Sequence, residues 1–273
     1  MKKFLLSKKQ ALTFAETMIT MLIIGFVAAL ILPTLLGGFT KNIFQASFAD
    51  AYKNFNKSLY NYSVNFAGTY TVREEQEDGT FKETEHKTVT SLGNSRLSST
   101  HLFEGHASDV AEKLAKQFNT TSQSNGCWGG KEIFNNFDNT GNATTRLDTL
   151  PCFKAGNGFI YAFELLSENC STDMRANNNQ KHKLSNSCAI VYIDINGTDT
   201  PNVFGQDVYA FIITDFPNSA LYPVGGSMMK AIPGSSLLSG VSTWENSCDE
   251  THKDGRTCAG RIVEEGMRIR YLK

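Results

Sequence analysis

Two hydrophobic rhythms divide the chain. From Leu12 to Leu36 apolar residues are almost continuous, and from Thr17 onward only Thr17, Thr20, Gly25, Pro33 and Thr34 interrupt the aliphatics. At about 1.5 Å of rise per residue, roughly 20 such residues match the hydrocarbon core of a bilayer, so residues 12–36 read as a transmembrane helix. Past Gly37 and Gly38 the pattern changes. Phe44, Phe48, Tyr52, Phe55, Leu59, Tyr62 and Phe66 follow at steps of three or four, while Lys41, Gln45, Lys53, Asn54 and Lys57 fall off that line. That is the spacing of an amphipathic helix with one aromatic stripe, suited to packing on a sheet. Together the two stretches predict one helix over residues 12–66, about 80 Å long. Pro33 inside it removes a backbone hydrogen bond and is the expected kink.

Downstream the periodicity shortens. TYTVREE and TFKETEHKT flank Asp78-Gly79 and read as a hairpin or as a mobile loop. Ser108 is placed to cap a short helix reaching about Phe118, with Val110, Leu114 and Phe118 along one side. Residues 119–142 are rich in Asn, Thr and Gly and read as loop. The segments 158–166 (GFIYAFELL), 188–195 (CAIVYIDI) and 208–214 (VYAFIIT) are apolar and β-rich and read as strands. Residues 216–244, rich in Pro, Gly and Ser, predict irregular structure. CAGRIVEEG suits a short helix and MRIRYLK a final strand. The sum is an α+β architecture, a long N-terminal helix against an antiparallel sheet of about four strands, with residues 67–273 forming a globular head.

Charge gives the apolar stretch a direction. Lys2, Lys3, Lys8 and Lys9 precede it with no acid among them, which favours a cytoplasmic N-terminus and an extracytoplasmic head. Glu16 is the exception within the stretch, and a carboxylate at membrane depth costs at least about 2.5–3.5 kcal/mol. An ordinary cleaved signal peptide has an apolar core of roughly 7–15 residues and an A-x-A-like site; here the core is longer and no such site follows Leu36. A plain membrane tether stays open as a rival.

The order of features (short basic leader, small residue, hydrophobic residue, Thr, two residues, Glu, long apolar helix, Pro) resembles the class III signal of type IV pilins and type II secretion pseudopilins. The resemblance covers about residues 1–66. It implies residues 1–11 as a leader, cut by a prepilin peptidase between Ala11 and Leu12, with N-methylation of Leu12. The family usually has Gly before the cut and Phe after it, whereas this chain has Ala11 and Leu12. The resemblance further implies that the Leu12 amine of one subunit pairs with Glu16 of its neighbour during filament assembly, which would relieve the cost of a buried charge. It also implies a pilin-like fold, membrane lipid, an inner-membrane assembly platform and other pilin or pseudopilin subunits as partners. The protein would be a single-pass inner-membrane chain and, once assembled, part of a pilus or pseudopilus. The reading from another class is a membrane-anchored extracytoplasmic binding module or enzyme.

Composition adds less. Net charge is −1, and no basic patch interleaved with aromatics points to nucleic acid. Cys127, Cys152, Cys170, Cys188, Cys248 and Cys258 all lie in the predicted exported half, which favours disulfides in an oxidising space. Six cysteines allow fifteen pairings. The sequential pairing 127–152, 170–188 and 248–258 is expected, with Trp128 packed against a bridge. No C-x-x-C, H-E-x-x-H, G-x-S-x-G, phosphate-binding or dinucleotide-binding motif occurs, and no enzyme activity is expected. The five histidines, His86, His101, His106, His182 and His252, sit in polar stretches and read as surface residues. One loop carries possible chemistry: in DINGTDTPNVFGQD (194–207), Asp194, Asn196, Asp199 and Asp207 offer oxygens around Gly197. That set has some of the character of a calcium loop, without its full spacing or distal Glu. The D-x-N-G…P-N…G-x-D pattern also resembles a segment of some pseudopilin-like proteins. A hairpin loop whose Asp and Asn side chains bind backbone amides is the other reading. Calcium is the one cofactor the residues bring forward.

Overall fold

The computed structural model describes residues 14–65, 69–75, 81–87, 111–112, 114–118, 120–167, 170–177, 182–214, 220–233 and 236–272. The leader, the Ala11–Leu12 junction, Ser108 and the Asp78-Gly79 turn lie outside them. Helix α1 (Phe14–Asn65) runs as one helical segment through Pro33, Gly37 and Gly38. Two compact units meet inside it, at Ile43 and Phe44. The reason is the change of rhythm: from Phe44 the stripe is buried in the head, with Phe48, Ala51, Phe55 and Leu59 almost wholly out of solvent.

The head is built on a six-stranded sheet in the order β10-β9-β8-β7-β6-β3, every neighbouring pair antiparallel. Its strands are β3 (Thr120–Ser124), β6 (Cys152–Ala155), β7 (Ile160–Leu165), β8 (Ser187–Asp194), β9 (Val208–Thr214) and β10 (Ala220–Pro223). Two separate antiparallel pairs stand outside it: β1 (Thr69–Glu75) with β2 (Phe81–Lys87), which precede it in sequence, and β4 (Ile133–Asn136) with β5 (Thr140–Thr144), inserted between β3 and β6. The mixed helix and antiparallel sheet make this an α+β protein. The sheet has six strands rather than about four, because β3, β6 and β10 are short edge or near-edge strands whose sequences (TTSQS, CFKA, ALYP) carry little apolar alternation. For the same reason residues 119–142 hold β3, β4 and β5 where a loop was expected.

The central strands are apolar at nearly every position because both faces are covered. Phe153, Tyr161, Phe163, Val191, Ile193, Tyr209, Phe211 and Ile213 point to α1, and their alternate neighbours Cys152, Ile160, Ala162, Ile190, Tyr192, Val208, Ala210 and Ile212 point the other way. On the first face the contact is largely aromatic. Phe55 lies 5.5 Å from Tyr161 and 6.2 Å from Phe163, Phe48 meets Tyr209 edge-on at 4.6 Å, and Tyr52 lies 5.5 Å from Phe211. Residues 111–112 and 114–115 are helical, and Phe118 closes the cluster 4.9 Å from Tyr161. On the second face the cover has little regular structure: Trp128, Ile133, Leu147, Met174, Leu184, Phe204, Val224, Met229, Ile232, Leu238 and Val241. Residues 216–244 supply much of it, with β10 as their one strand among the described residues.

Helix α2 (Cys258–Glu264) forms where a short helix was expected. The following segment does not become a strand. Ile269 and Tyr271 are buried at alternate positions, as in a strand, but their polar groups bond elsewhere. The Ile269 N–H is taken by Gln45 Oε1 of α1 (3.2 Å), and the Tyr271 hydroxyl donates to Gly205 O (2.6 Å). The six cysteines form Cys127–Cys152, Cys170–Cys188 and Cys248–Cys258, in sequential order. Each bridge ties cover segments to one another or to the start of β6 or β8.

Phe55 is buried from every side, so Phe55→Ala removes both transfer energy and packing. The expected cost is about 3–5 kcal/mol of head stability, read as an earlier urea midpoint at unchanged slope.

Candidate functional site

Two places in the chain combine unusual chemistry with defined structure. The first is the start of α1. Phe14, Met18, Ile19, Met21, Leu22, Ile23, Ile24, Phe26 and Val27 are all exposed. Successive helical positions are about 100° apart, so Met21, Leu22, Ile23 and Ile24 alone cover the whole circumference. A helix apolar all round belongs in a core or a membrane. Glu16 stands in its first described turn, and its carbonyl accepts the Thr20 hydroxyl (2.9 Å). Among the described residues no helix is long and apolar enough to cross a membrane. The described side chains of this apolar run stop at Ala29, about 24 Å from Phe14 against the ~30 Å of a hydrocarbon core. In the sequence the run continues through Leu30, Ile31 and Leu32.

The second place is the loop between β8 and β9. Here the structure brings together part of the set expected from sequence. Asp194 ends β8, and Asp207 directly precedes β9; both are fully buried. Asp199 is exposed on the far side of the turn and does not join them. The turn needs Gly197, whose φ is +72°; a Cβ there would also sit 2.7 Å from Gly158 O. The carboxylates are held by amide donors. Asp194 Oδ1 accepts the Asn196 N–H (3.1 Å). Asp207 accepts the Asn202 N–H (2.8 Å) and the Val203 N–H (2.7 Å).

Asp194 Oδ2 accepts the indole N–H of the fully buried Trp128 at 2.7 Å. Trp128 is itself set by Asp148, whose Oδ1 accepts the Trp128 backbone N–H (2.8 Å) and whose carbonyl accepts the Gly126 N–H (2.8 Å). Trp128 shares its core with the Cys127–Cys152 bridge, as expected, but its polar partner is 66 residues away in sequence. No local spacing announces that bond. The one available signal is that a buried indole needs an acceptor.

Among the described residues, neither Asp194 nor Asp207 is paired with a Lys, Arg or His. Burial pushes the Asp194 carboxyl well above the ordinary carboxylate range, and the charge of Asp207 pushes it further. Burial also raises Asp207, to about 6, against the amide donors that hold it down. Two oxygens of the same loop are left over: Asn196 Oδ1 and Asn202 Oδ1 are buried and have no hydrogen-bond partner among the described residues. Asn202 is absent from the set expected from sequence, although it is the Asn of the P-N element in the pattern quoted there; it adopts φ +51° and is 4% exposed. Among the described residues no three His, Cys, Asp or Glu side chains converge on a metal position. His182 is half-buried rather than a plain surface residue, with its Nδ1 accepting the Leu184 N–H (3.3 Å). His252 is exposed beside Asp249.

Trp128→Phe leaves the Asp194 carboxyl short of a donor in a dry site. The expected loss is about 1–3 kcal/mol in a denaturant melt. Trp244→Phe removes an indole bond to the exposed Glu264 and should cost well under about 1 kcal/mol in the same measurement. No protein-family model, curated protein or solved structure matches this chain.

Proposed function

We propose that this protein is a structural pilin-like or pseudopilin subunit, not an enzyme. It assembles through its N-terminal helix into a type IV pilus or a type II secretion pseudopilus. The observation that carries the reading is Glu16, a single acid at the head of a helix whose described apolar side chains face outward in all directions. In water such a surface is unfavourable, and in lipid the acid is costly. Both costs fall if the helix lies among copies of itself in or leaving a membrane, with Glu16 beside the new amine of a neighbour's Leu12.

The architecture favours the same reading. The aromatic stripe of α1 is packed on an antiparallel sheet, while the exposed residues of its first turns are apolar apart from Glu16, Thr17, Thr20 and Gly25. A pilin-like fold is the finer description that follows. Prepilin peptidase would act between Ala11 and Leu12 and methylate Leu12, and membrane lipid, sister subunits and an inner-membrane assembly platform are the partners. The head, with its three disulfides, would then face an oxidising extracytoplasmic space. A head of about 200 residues exceeds what a major subunit needs, which favours a minor component. The rival is a membrane-tethered binding module or enzyme that uses the helix only as an anchor.

Mass spectrometry of the mature protein separates the two. The expected N-terminus is methylated Leu12, and Glu16→Ala should abolish incorporation into filaments while the head melts as before. A protein retaining Met1, or starting beyond residue 36, would count against the filament reading.

A further inference from the structure

The loop closed by the Cys170–Cys188 disulfide is pinned to the head at Leu184. The Leu184 side chain is fully buried in the cover of the sheet's second face, in the same cluster as Met174. Its carbonyl accepts the Met174 N–H (2.8 Å) and the Ser187 hydroxyl (3.1 Å). Its own N–H goes to a side chain, Nδ1 of His182 (3.3 Å), the residue that opens the short turn Lys183–Ser185. An imidazole accepts at Nδ1 only when it is neutral, with its proton on Nε2. A second proton turns Nδ1 from acceptor to donor and sets two N–H groups against each other.

The surroundings oppose that second proton. The His182 ring stands edge-on to Tyr222 of β10, with 5.4 Å between centroids, and Lys183 Nζ lies over the same Tyr222 ring at 5.5 Å. Arg175, held by Asp173 at 2.6 Å, acts on His182 from the neighbouring segment. Lys230 acts on Asp173 from a third segment, whose N–H bonds Met174 O (2.9 Å). Lys181 precedes His182 outside the described residues. Among the described residues no carboxylate is paired with His182. Burial lowers the His182 pKa, and the charges of Lys183 and Arg175 lower it further.

We infer that His182 is an acid-operated latch, whose protonation frees the Leu184 turn so that the loop between Cys170 and Cys188 opens while the sheet stays folded. The new charge loses its bond to Leu184 and stands beside two cations. Met174 and Leu184 lose their cover, and the disulfide keeps the loop ends together for reclosure. The sign follows from the lowered pKa. The closed form is favoured at neutral pH, and that advantage is lost as pH falls through the ordinary histidine value of about 6.5 toward the lower folded one. The raised carboxyls of Asp194 and Asp207 act with the opposite sign, favouring the folded state in acid. The lowered carboxyls of Asp138, Asp173 and Asp249 lose stability only once the pH enters the carboxylate range. Nothing in this inference depends on how the N-terminal helix assembles.

The test is hydrogen exchange on the full chain in detergent micelles, read by mass spectrometry and corrected for the intrinsic pH dependence of exchange. Between about pH 7.5 and about pH 5, protection of the amides in 182–187 should fall about tenfold, while β9 keeps its protection. His182→Asn keeps a capping oxygen without a titrating group, so its loop should stay closed throughout. Arg175→Gln removes one opposing cation and should raise the midpoint by about half a pH unit or more. His252→Asn should leave the step unchanged. A native protein without the acid step overturns the inference, as does loss of β9 protection at the same midpoint. So does a folded His182→Asn protein that keeps the step, a His252→Asn protein that loses it, or an Arg175→Gln protein whose midpoint does not rise. If His182→Asn does not fold, the native step and its displacement in Arg175→Gln decide.

Discussion

The head depends on one contact, the aromatic stripe of α1 laid across the inner face of the sheet. Phe48, Tyr52 and Phe55 meet Tyr161, Phe163, Tyr209 and Phe211 ring against ring, and Phe118 and Phe153 fill the remaining space. Aromatic residues bury more area than aliphatic ones, and their pairs add to the transfer energy. The stripe also sets the register of the helix on the sheet through polar side chains at its margins. Asn56 Oδ1 accepts the Leu221 N–H of β10 (3.1 Å), and Gln45 Oε1 accepts the Ile269 N–H. Both edges of the core are thus fastened to the same helix.

A second constraint comes from the opposite face. The sheet is apolar on both sides, so something must cover the side away from α1. Among the described residues the chain does this with turns, short segments and the Cys127–Cys152 disulfide rather than with a second helix layer. Asx-type bonds replace regular ladders in this layer: Asp148 holds the Trp128 turn, Asp207 holds residues 202–203, and Asp173 and Asp254 bind Arg175 and Arg256. The charged-to-charged links are half-buried at the margin, whereas the Asp207 and Asp194 bonds lie in the interior. The interior pair is therefore where chemistry concentrates.

The sequence makes the parts with a strong period legible. The stripe from Phe44 to Leu59, the near-continuous apolar runs of β7, β8 and β9 and the short helix α2 each carry a signal that needs no distant partner. Other elements are stabilised by what lies across from them. β3 (TTSQS) has no apolar face of its own and exists because β6 offers hydrogen bonds. MRIRYLK alternates like a strand but joins no sheet among the described residues, and its Ile269 amide goes to a helix side chain. In the loop, Asp194, Asn196 and Asp207 stand out by residue type, while the exclusion of Asp199 and the inclusion of Asn202 depend on which way a turn at Gly197 carries the chain. The Trp128–Asp194 bond spans 66 residues and is invisible to any local pattern. At the other end, Glu16 stands out from sequence alone because it breaks an otherwise uniform run.

The stripe has a temporal consequence. The residues that receive Phe48 and Phe55 lie roughly a hundred or more positions later, so the helix emerges long before its docking surface exists. Contacts of such long range make folding slow and leave apolar rings uncovered meanwhile. The interval coincides with the period in which six thiols are choosing among partners. A nascent chain of this design therefore carries uncovered apolar rings and unpaired thiols together until the last strands of the sheet are in place.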